Sequence, residues 1–185
     1  MNEPLKGRHI VIGVTGSIAA YKACELIRRL KQAGAEVQTV LTSHGAAFIG
    51  EQTLLTLSGR PVLKDIFSTS GQWEPEHIAV GGWADACMIA PATANIIGKV
   101  AAGIADDVLS TLVMALKCPV LIAPAMNDAM YANPIVQANI EKLKALGYHF
   151  VEPETGHLAC GYEGKGRLAH TDALVAALVG LLAKR

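Results

Sequence analysis

The chain has 185 residues, 51% of them hydrophobic and 17% charged, a size and composition suited to one domain with a substantial buried core. Its 16 basic and 16 acidic residues cancel, so no charge footprint favours nucleic acid or an anionic membrane as a partner. No run of about 18 uncharged apolar residues exists to span a bilayer, and the opening stretch MNEPLKGRHIVIGV is polar and then strand-like, unlike a secretory leader. The chain reads as cytoplasmic.

Apolar, β-branched runs predict strands at residues 9–14, 36–41, 86–90, 119–123 and 148–151. Between and after them, helical patterns fall at 18–33, 45–58, 96–102, 107–117, 134–146 and 172–183. The first helix carries Ile18, Ala23, Leu26, Ile27 and Leu30 on one stripe and stops at Ala33-Gly34. Gly147 ends the 134–146 helix after the basic Lys142 and Lys144. Strand–helix alternation of this kind predicts an α/β fold: a single domain over 1–185, built as a three-layer Rossmann or flavodoxin-like parallel sheet with helices on both faces. Ligands of such folds bind beyond the carboxyl ends of the strands. Two segments resist the pattern, 67–76 and the Gly- and charge-rich 153–167, and loops of that length are commonly functional.

Cys24, Cys87, Cys118 and Cys160 show no CxxC spacing and no clustering with histidines, so neither a metal site nor a disulfide framework is expected. Cys160 stands apart because its Gly-rich surroundings leave a thiol accessible and a backbone able to move.

The first strand runs into Gly13-Val14-Thr15-Gly16-Ser17-Ile18-Ala19 at a helix start. Free backbone N–H groups and the positive dipole end there suit a phosphate; the same residues also make an ordinary βα turn with Ser17 as cap. The spacing is neither G-x-G-x-x-G nor a P-loop. The second strand ends Thr42-Ser43-His44, without the acidic residue that a dinucleotide ribose needs. Hydroxyls there suit a phosphate monoester, which argues for a mononucleotide. Ala90-Pro91-Ala92-Thr93-Ala94-Asn95 offers small residues for a planar ring and polar groups for its edge, or a turn in which Asn95 caps the next helix. Ala123 to Tyr131, with Asn127, Met126 and Met130, lines a pocket or supplies core and a cap.

Taken in order, Ser17-Ile18-Ala19-Ala20-Tyr21-Lys22, Pro91-Ala92-Thr93-Ala94-Asn95 and Pro124-Ala125-Met126-Asn127-Asp128-Ala129-Met130-Tyr131 resemble the signature segments of the homo-oligomeric flavin-containing cysteine decarboxylase family. The second is similar to P-A-S-A-N-T, with Thr93 for Ser and Ile96 for Thr; the third is similar to P-x-M-N-x-x-M-W, with Tyr131 for Trp. The resemblance covers about residues 8–171. It implies FMN as cofactor, held by Gly16, Ser17, Ile18, Thr42, Ser43, Thr93, Ala94, Asn95 and Ala125. It further implies His77 and Cys160 as catalytic groups, Cys160 lying on a substrate flap at about 153–167. Asn127 and Met130 are then substrate-binding, with Lys165 and Arg167 as flap cations for a phosphate or carboxylate, or else solvated loop charges. His9, His44, His149, His157 and His170 read as mainly structural.

The implied reaction is decarboxylation of 4′-phosphopantothenoylcysteine to 4′-phosphopantetheine in coenzyme A biosynthesis. Simple loss of carbon dioxide would leave an unstabilised carbanion, and flavin is a natural electron sink. In the family mechanism the substrate thiol is oxidised to a thioaldehyde, carbon dioxide departs to leave an ene-thiolate, and reduced FMN returns the hydride. Cys160 is expected to supply the proton in the reducing half, and a neutral His77 to accept the thiol proton. The family also implies a homotrimer or trimer-based homo-oligomer and a phosphopantothenoylcysteine synthetase, fused or separate. Three other roles fit the same scaffold. A peptidyl-cysteine decarboxylase is one. A flavin prenyltransferase would need no Cys160, and a regulatory FMN-binding subunit would tend to change His77 or carry an acidic tail.

Overall fold

The computed structural model describes residues 3–65 and 76–184, and of 76 and 77 the backbone alone. Five parallel strands, β1 (His9–Val14), β2 (Glu36–Leu41), β3 (Ala86–Ala92), β4 (Val120–Pro124) and β5 (His149–Phe150), form one sheet in the order β2-β1-β3-β4-β5. This is the doubly wound order whose direction reverses between β1 and β3, and that reversal opens a crevice at their carboxyl ends. The two faces of the strands alternate as the pleat requires. Ile10, Ile12 and Val14 pack with α1 (Lys22–Gln32), α2 (Glu51–Ser58) and α8 (Thr171–Leu182). Val11, Cys87, Ile89 and Ile122 pack with α4 (Ala94–Ala102), α5 (Val108–Ala115) and α7 (Pro134–Ala145). Burying side chains such as Leu26, Ile27 and Leu30 contributes about 1.5–3 kcal/mol each, and all three are at most 1% exposed.

The predicted sheet and its flanking helices are present, with local differences. The 18–33 helix divides into a 3-10 turn, Ile18–Tyr21, followed by α1. Ile18 leaves the buried stripe and is 62% exposed, because a turn of three residues does not continue the 3.6-residue stripe of the α-helix after it. The 45–58 helix likewise breaks at Gly50, whose extended backbone (φ −73, ψ 138) separates a 3-10 turn at Gly45–Ala47 from α2. Helix α4 starts two residues before the predicted 96, capped by Thr93 and not by Asn95. Three elements escaped the periodicity: α3 (Glu76–Trp83), the short α6 (Asp128–Ala132), and an antiparallel hairpin of β6 (Glu154–His157) and β7 (Glu163–Arg167). The hairpin occupies most of the segment expected as a flap loop. Of the other unpatterned segment, 67–75 lies outside the described residues.

Glycine spacing explains why the hairpin hides from sequence patterning. A Cβ at Gly166 would strike the Met126 carbonyl oxygen, and one at Gly164 would lie 2.9 Å from Asp128 Cβ. β7 therefore lies backbone-on-backbone against the turn before α6, joined by Met126 N–H donating to the Gly166 carbonyl at 3.0 Å. A strand held this way needs alternate glycines, not alternate hydrophobics.

Candidate active site

At the β1/β3 reversal the strand ends are pinned together from below. The Thr15 hydroxyl donates to the Pro91 carbonyl at 2.7 Å and accepts the Thr93 N–H at 3.2 Å. Ala125 N–H donates to the Ala92 carbonyl at 3.0 Å, joining β4 to β3. Thr15 is 3% exposed and Ala125 likewise, so these bonds are shielded from water and fix the floor. Two adjoining cavities rise from it. The first, about 590 Å³, is bordered by Gly16, Ser17, Ile18, Thr93, Ala125, Asn127, Met130, Cys160 and Arg167, among others. The second, about 600 Å³, takes in Thr42, Ser43, Thr93, Ala94 and Asn95, and shares Gly16, Thr93 and Met130 with the first. The nine residues expected to hold a cofactor thus border two adjoining hollows.

Their polar groups differ in what remains free. Ser17 Oγ accepts Ala19 N–H at 3.3 Å and so caps its own 3-10 turn. Thr42 Oγ1 donates to the Val14 carbonyl at 3.3 Å and accepts Gly45 N–H at 3.1 Å, which commits it to holding the β2 end against β1. Thr93 Oγ1 accepts Ile96 N–H at 3.4 Å as the cap of α4. Asn95 is exposed at the second cavity. Beneath it, Lys99 lies 2.6 Å from both Asp106 Oδ1 and Asp107 Oδ2. Burial pushes the Asp107 carboxyl up, but Lys99 and the Ser110 N–H together hold it below the usual carboxylate range.

The β6–β7 hairpin and its tip border the first cavity on another side. Asn127 caps α6 by accepting Ala129 N–H on Oδ1 at 2.9 Å. Its Nδ2 therefore faces the flap, donating to Tyr162 Oη at 2.8 Å and lying 3.6 Å from Cys160 Sγ. Tyr162 in turn donates to Asp128 Oδ1 at 2.8 Å. Cys160 is exposed at the hairpin tip, in a tight turn closed by Gly161 N–H to the Leu158 carbonyl. Met130 borders both cavities and Arg167 the first.

Lys165 is not brought to the cavity. Its ammonium pairs with Glu152 at 2.9 Å and lies 5.4 Å from the Tyr131 ring centre. Tyr131 donates to the same carboxylate at 2.6 Å, and this bond, with Lys165 and Lys144, holds Glu152 below its ordinary pKa. His77 sits in the first turn of α3, but its side chain lies outside the described residues. His157, read as structural, borders the first cavity. Lys22 also borders it and donates to the Leu168 carbonyl at 3.2 Å. Thr15 lies in the turn after β1, Lys22 at the start of α1 and Tyr162 in the unpatterned 153–167 segment, yet nothing in their spacing sets them apart. Among the described residues no group of three or more His, Cys, Asp or Glu could hold a metal ion, and no helix is long and apolar enough to cross a membrane.

A family profile described as Flavoprotein matches residues 1–183. The chain is 47% identical over 171 residues to the coenzyme A biosynthesis bifunctional protein CoaBC of Bacillus subtilis, covering 92% of this chain and 42% of that protein. The corresponding Haemophilus influenzae protein is 43% identical, with 94% and 44% covered. The chain therefore spans less than half the length of these curated relatives. Among solved structures, a cysteine-to-serine mutant of PPC decarboxylase complexed with pantothenoylaminoethenethiol superposes with a TM-score of 0.85 at 30% identity, covering 96% of this chain and 99% of that one. The FMN-dependent cysteine decarboxylase SpaF gives 0.85 at 34% identity, with 97% and 98% covered. The flavodoxin-like fold expected from sequence is thereby confirmed.

Proposed function

The chain belongs to the flavoprotein family, and from that premise we propose that it is an FMN-dependent carbon–carbon lyase acting on 4′-phosphopantothenoylcysteine. Its product is 4′-phosphopantetheine, in cytoplasmic coenzyme A biosynthesis, and residues 1–185 form one catalytic domain. The observation that carries this reading is the meeting of the Asn127 amide and the flap thiol of Cys160 over a cavity at the carboxyl ends of β1, β3 and β4.

The residues present fit FMN. Small residues at Gly16, Thr93, Ala94 and Ala125 would leave room for a planar ring beside the adjoining hollows. Ser43 and Asn95 keep neutral hydrogen-bonding groups toward the second, and Ser17, Ile18 and Thr42 shape the turns around them. Bound there, FMN would take up the electrons of the substrate thiol and return them after carbon dioxide has left.

The chain's own side chains then divide the remaining work. Asn127 offers an N–H donor to the substrate carboxylate or amide, an orientation its helix-capping bond enforces. Arg167 and Lys22 supply positive charge at the cavity for the substrate's phosphate or carboxylate. Lys165 takes part once it exchanges the Glu152 carboxylate for the substrate's anionic group. Met130 packs against substrate and ring. His77 accepts the substrate thiol proton, and Cys160 delivers a proton to the carbon that has lost its carboxylate. Exposed apolar side chains at the cavity rim, Ile18, Tyr21, Phe48 and Met130, support a trimer-based homo-oligomer. A phosphopantothenoylcysteine synthetase, fused or separate, supplies the substrate.

The test is anaerobic incubation of FMN-loaded protein with phosphopantothenoylcysteine, following carbon dioxide and product mass, alongside acid extraction and chromatography of the cofactor. Stoichiometric carbon dioxide with phosphopantetheine is expected. Extraction of FAD, or no turnover by FMN-loaded oligomer, would overturn the reading.

A further inference from the structure

We propose that Tyr162 and Asp128 are positioning residues of this site, forming a clasp that holds the flap closed with Cys160 over Asn127. The proposal rests on the decarboxylase reading for the roles of Cys160 and Asn127, but the clasp itself stands on geometry.

Two independent contacts fix the hairpin to the body at this point. One is the backbone bond from Met126 N–H to the Gly166 carbonyl, which places β7 but leaves the tip, 158–162, cantilevered beyond it. The other is the Tyr162 phenol, which reaches back from the tip to α6. Its oxygen accepts from Asn127 Nδ2 and donates to Asp128 Oδ1, both at 2.8 Å. The two partners are consecutive residues at the start of one helix, so a single hydroxyl reads both.

The directions of these bonds are mutually consistent. Asn127 Oδ1 is taken by Ala129 N–H, so only Nδ2 can face the phenol, and the phenol must then accept. Having accepted from the amide, it is free to donate its proton to a carboxylate, and Asp128 is the carboxylate in reach. Asn127's hydrogen bond lowers the phenol pKa, but those of Asp128 and Cys160 raise it, and the net result lies above the ordinary phenol value. The phenol therefore keeps its proton at neutral pH and remains a donor to Asp128. Cys160, two residues before Tyr162, is held 3.6 Å from Asn127 Nδ2 as a consequence. A flap thiol that must deliver a proton at a defined moment needs such a fixed position.

The hydroxyl is the part that matters, so Tyr162→Phe is the decisive variant. It should lower kcat/KM about 10-fold, the scale of one hydrogen bond to a charged group. Carbon dioxide release should persist while part of the product leaves two hydrogens lighter than phosphopantetheine, with the flavin left reduced, because Cys160 is no longer held for the second half. Asp128→Ala should do the same, and the double variant should be no worse than either single one, since both act through one bond. Asp128→Asn keeps an acceptor and should restore most activity. Without substrate, hydrogen exchange at the Met126 amide should quicken in Tyr162→Phe and Asp128→Ala, as the flap seam opens more often. An unchanged product ratio and unchanged Met126 exchange in Tyr162→Phe would overturn the clasp, as would additive losses in the double variant. Failure of the wild-type protein to decarboxylate phosphopantothenoylcysteine would instead sink the functional reading, while the exchange measurement still decided the clasp.

Discussion

The floor and the flap of the same cavity are built by opposite means. On the floor, strand ends are locked by bonds of the buried Thr15 and Ala125, Thr15 to Pro91 and Thr93, and Ala125 to Ala92. Such bonds compete with little solvent, and losing the Thr15–Pro91 bond strands a buried carbonyl. On the flap, the hairpin is exposed along most of its length, and its ties include a backbone seam, a phenol and the Lys165–Glu152 pair. An exposed ion pair such as Lys165–Glu152 contributes about 0–1 kcal/mol and a single hydrogen bond about 1 kcal/mol, so little holds the hairpin to the body. Under the proposed function the two regions take distinct tasks: the floor keeps a cofactor-sized shape ready, and the hairpin acts as the substrate flap. Changes on the flap should cost turnover and spare stability, and changes beside the floor should do the reverse.

The largest effect expected from breaking this division is at Cys160. A serine hydroxyl is a far weaker acid than a thiol, so Cys160→Ser should reduce phosphopantetheine formation by about 10²-fold or more, the scale of a lost proton donor. Carbon dioxide release and flavin bleaching should survive in a single anaerobic turnover, with a product two hydrogens lighter. The melting temperature should not move, because Cys160 is exposed. Normal phosphopantetheine at the wild-type rate would make Cys160 a bystander.

A smaller effect should follow at the flap seam. Gly166→Ala places a methyl group against the Met126 carbonyl, so β7 must lift away from α6. We expect kcat/KM to fall about 10-fold, roughly what one lost hydrogen bond at the seam costs, with flavin affinity and thermal stability near wild type. A fall in stability matching the fall in activity would show that the hairpin belongs to the rigid body.

The same contrast decides what could be read in advance. The floor was legible because buried parallel strands write continuous apolar runs, and β1 and β2 begin and end where the sequence places them. Turns after those strands were recognisable from Gly16, Ser17, Thr42 and Thr93. Thr15, the residue that ties two of these turns together, carries no sequence signal of its own, since a hydroxyl's partner 76 positions away leaves no local trace. The flap was legible only as a segment lacking pattern. Its two strands lack a hydrophobic face, and α3 was obscured by Gly81 and Gly82 in an eight-residue helix, where each glycine costs about 1 kcal/mol. Cys160 and Asn127 stand out from their own loop and strand-end turn and take their roles from the family resemblance, but Tyr162 and Asp128 emerge from contacts alone. Lys165, grouped with Arg167 by adjacency, is separated from it by the Glu152 pair.

The smallest and most specific test concerns the edge of the floor, at Asp107. Its carboxylate accepts Leu109 N–H at 3.0 Å and Ser110 N–H at 2.9 Å, while Ser110 Oγ accepts the Asp107 N–H at 3.1 Å, completing a capping box at the start of α5. Asp107→Ala should cost about 1 kcal/mol of stability at pH 7, as lost caps typically do, and the cost should depend on pH in a definite sense. In the folded protein, burial raises the carboxyl pKa, yet Lys99 and Ser110 overcome it and leave the group below its unfolded value. The ionised cap therefore contributes fully above the unfolded value of about 3.9 and loses its contribution as pH falls through the lower, folded value. Urea titrations at pH 7 and near pH 3 should show the gap between wild type and Asp107→Ala narrowing in acid. Asp107→Asn supplies the control, because asparagine caps a helix about as well as aspartate and does not titrate. Its stability relative to Asp107→Ala should stay constant across the same range, and a gap to Asp107→Ala equally flat for the wild type would show that the carboxylate's charge adds nothing to the cap.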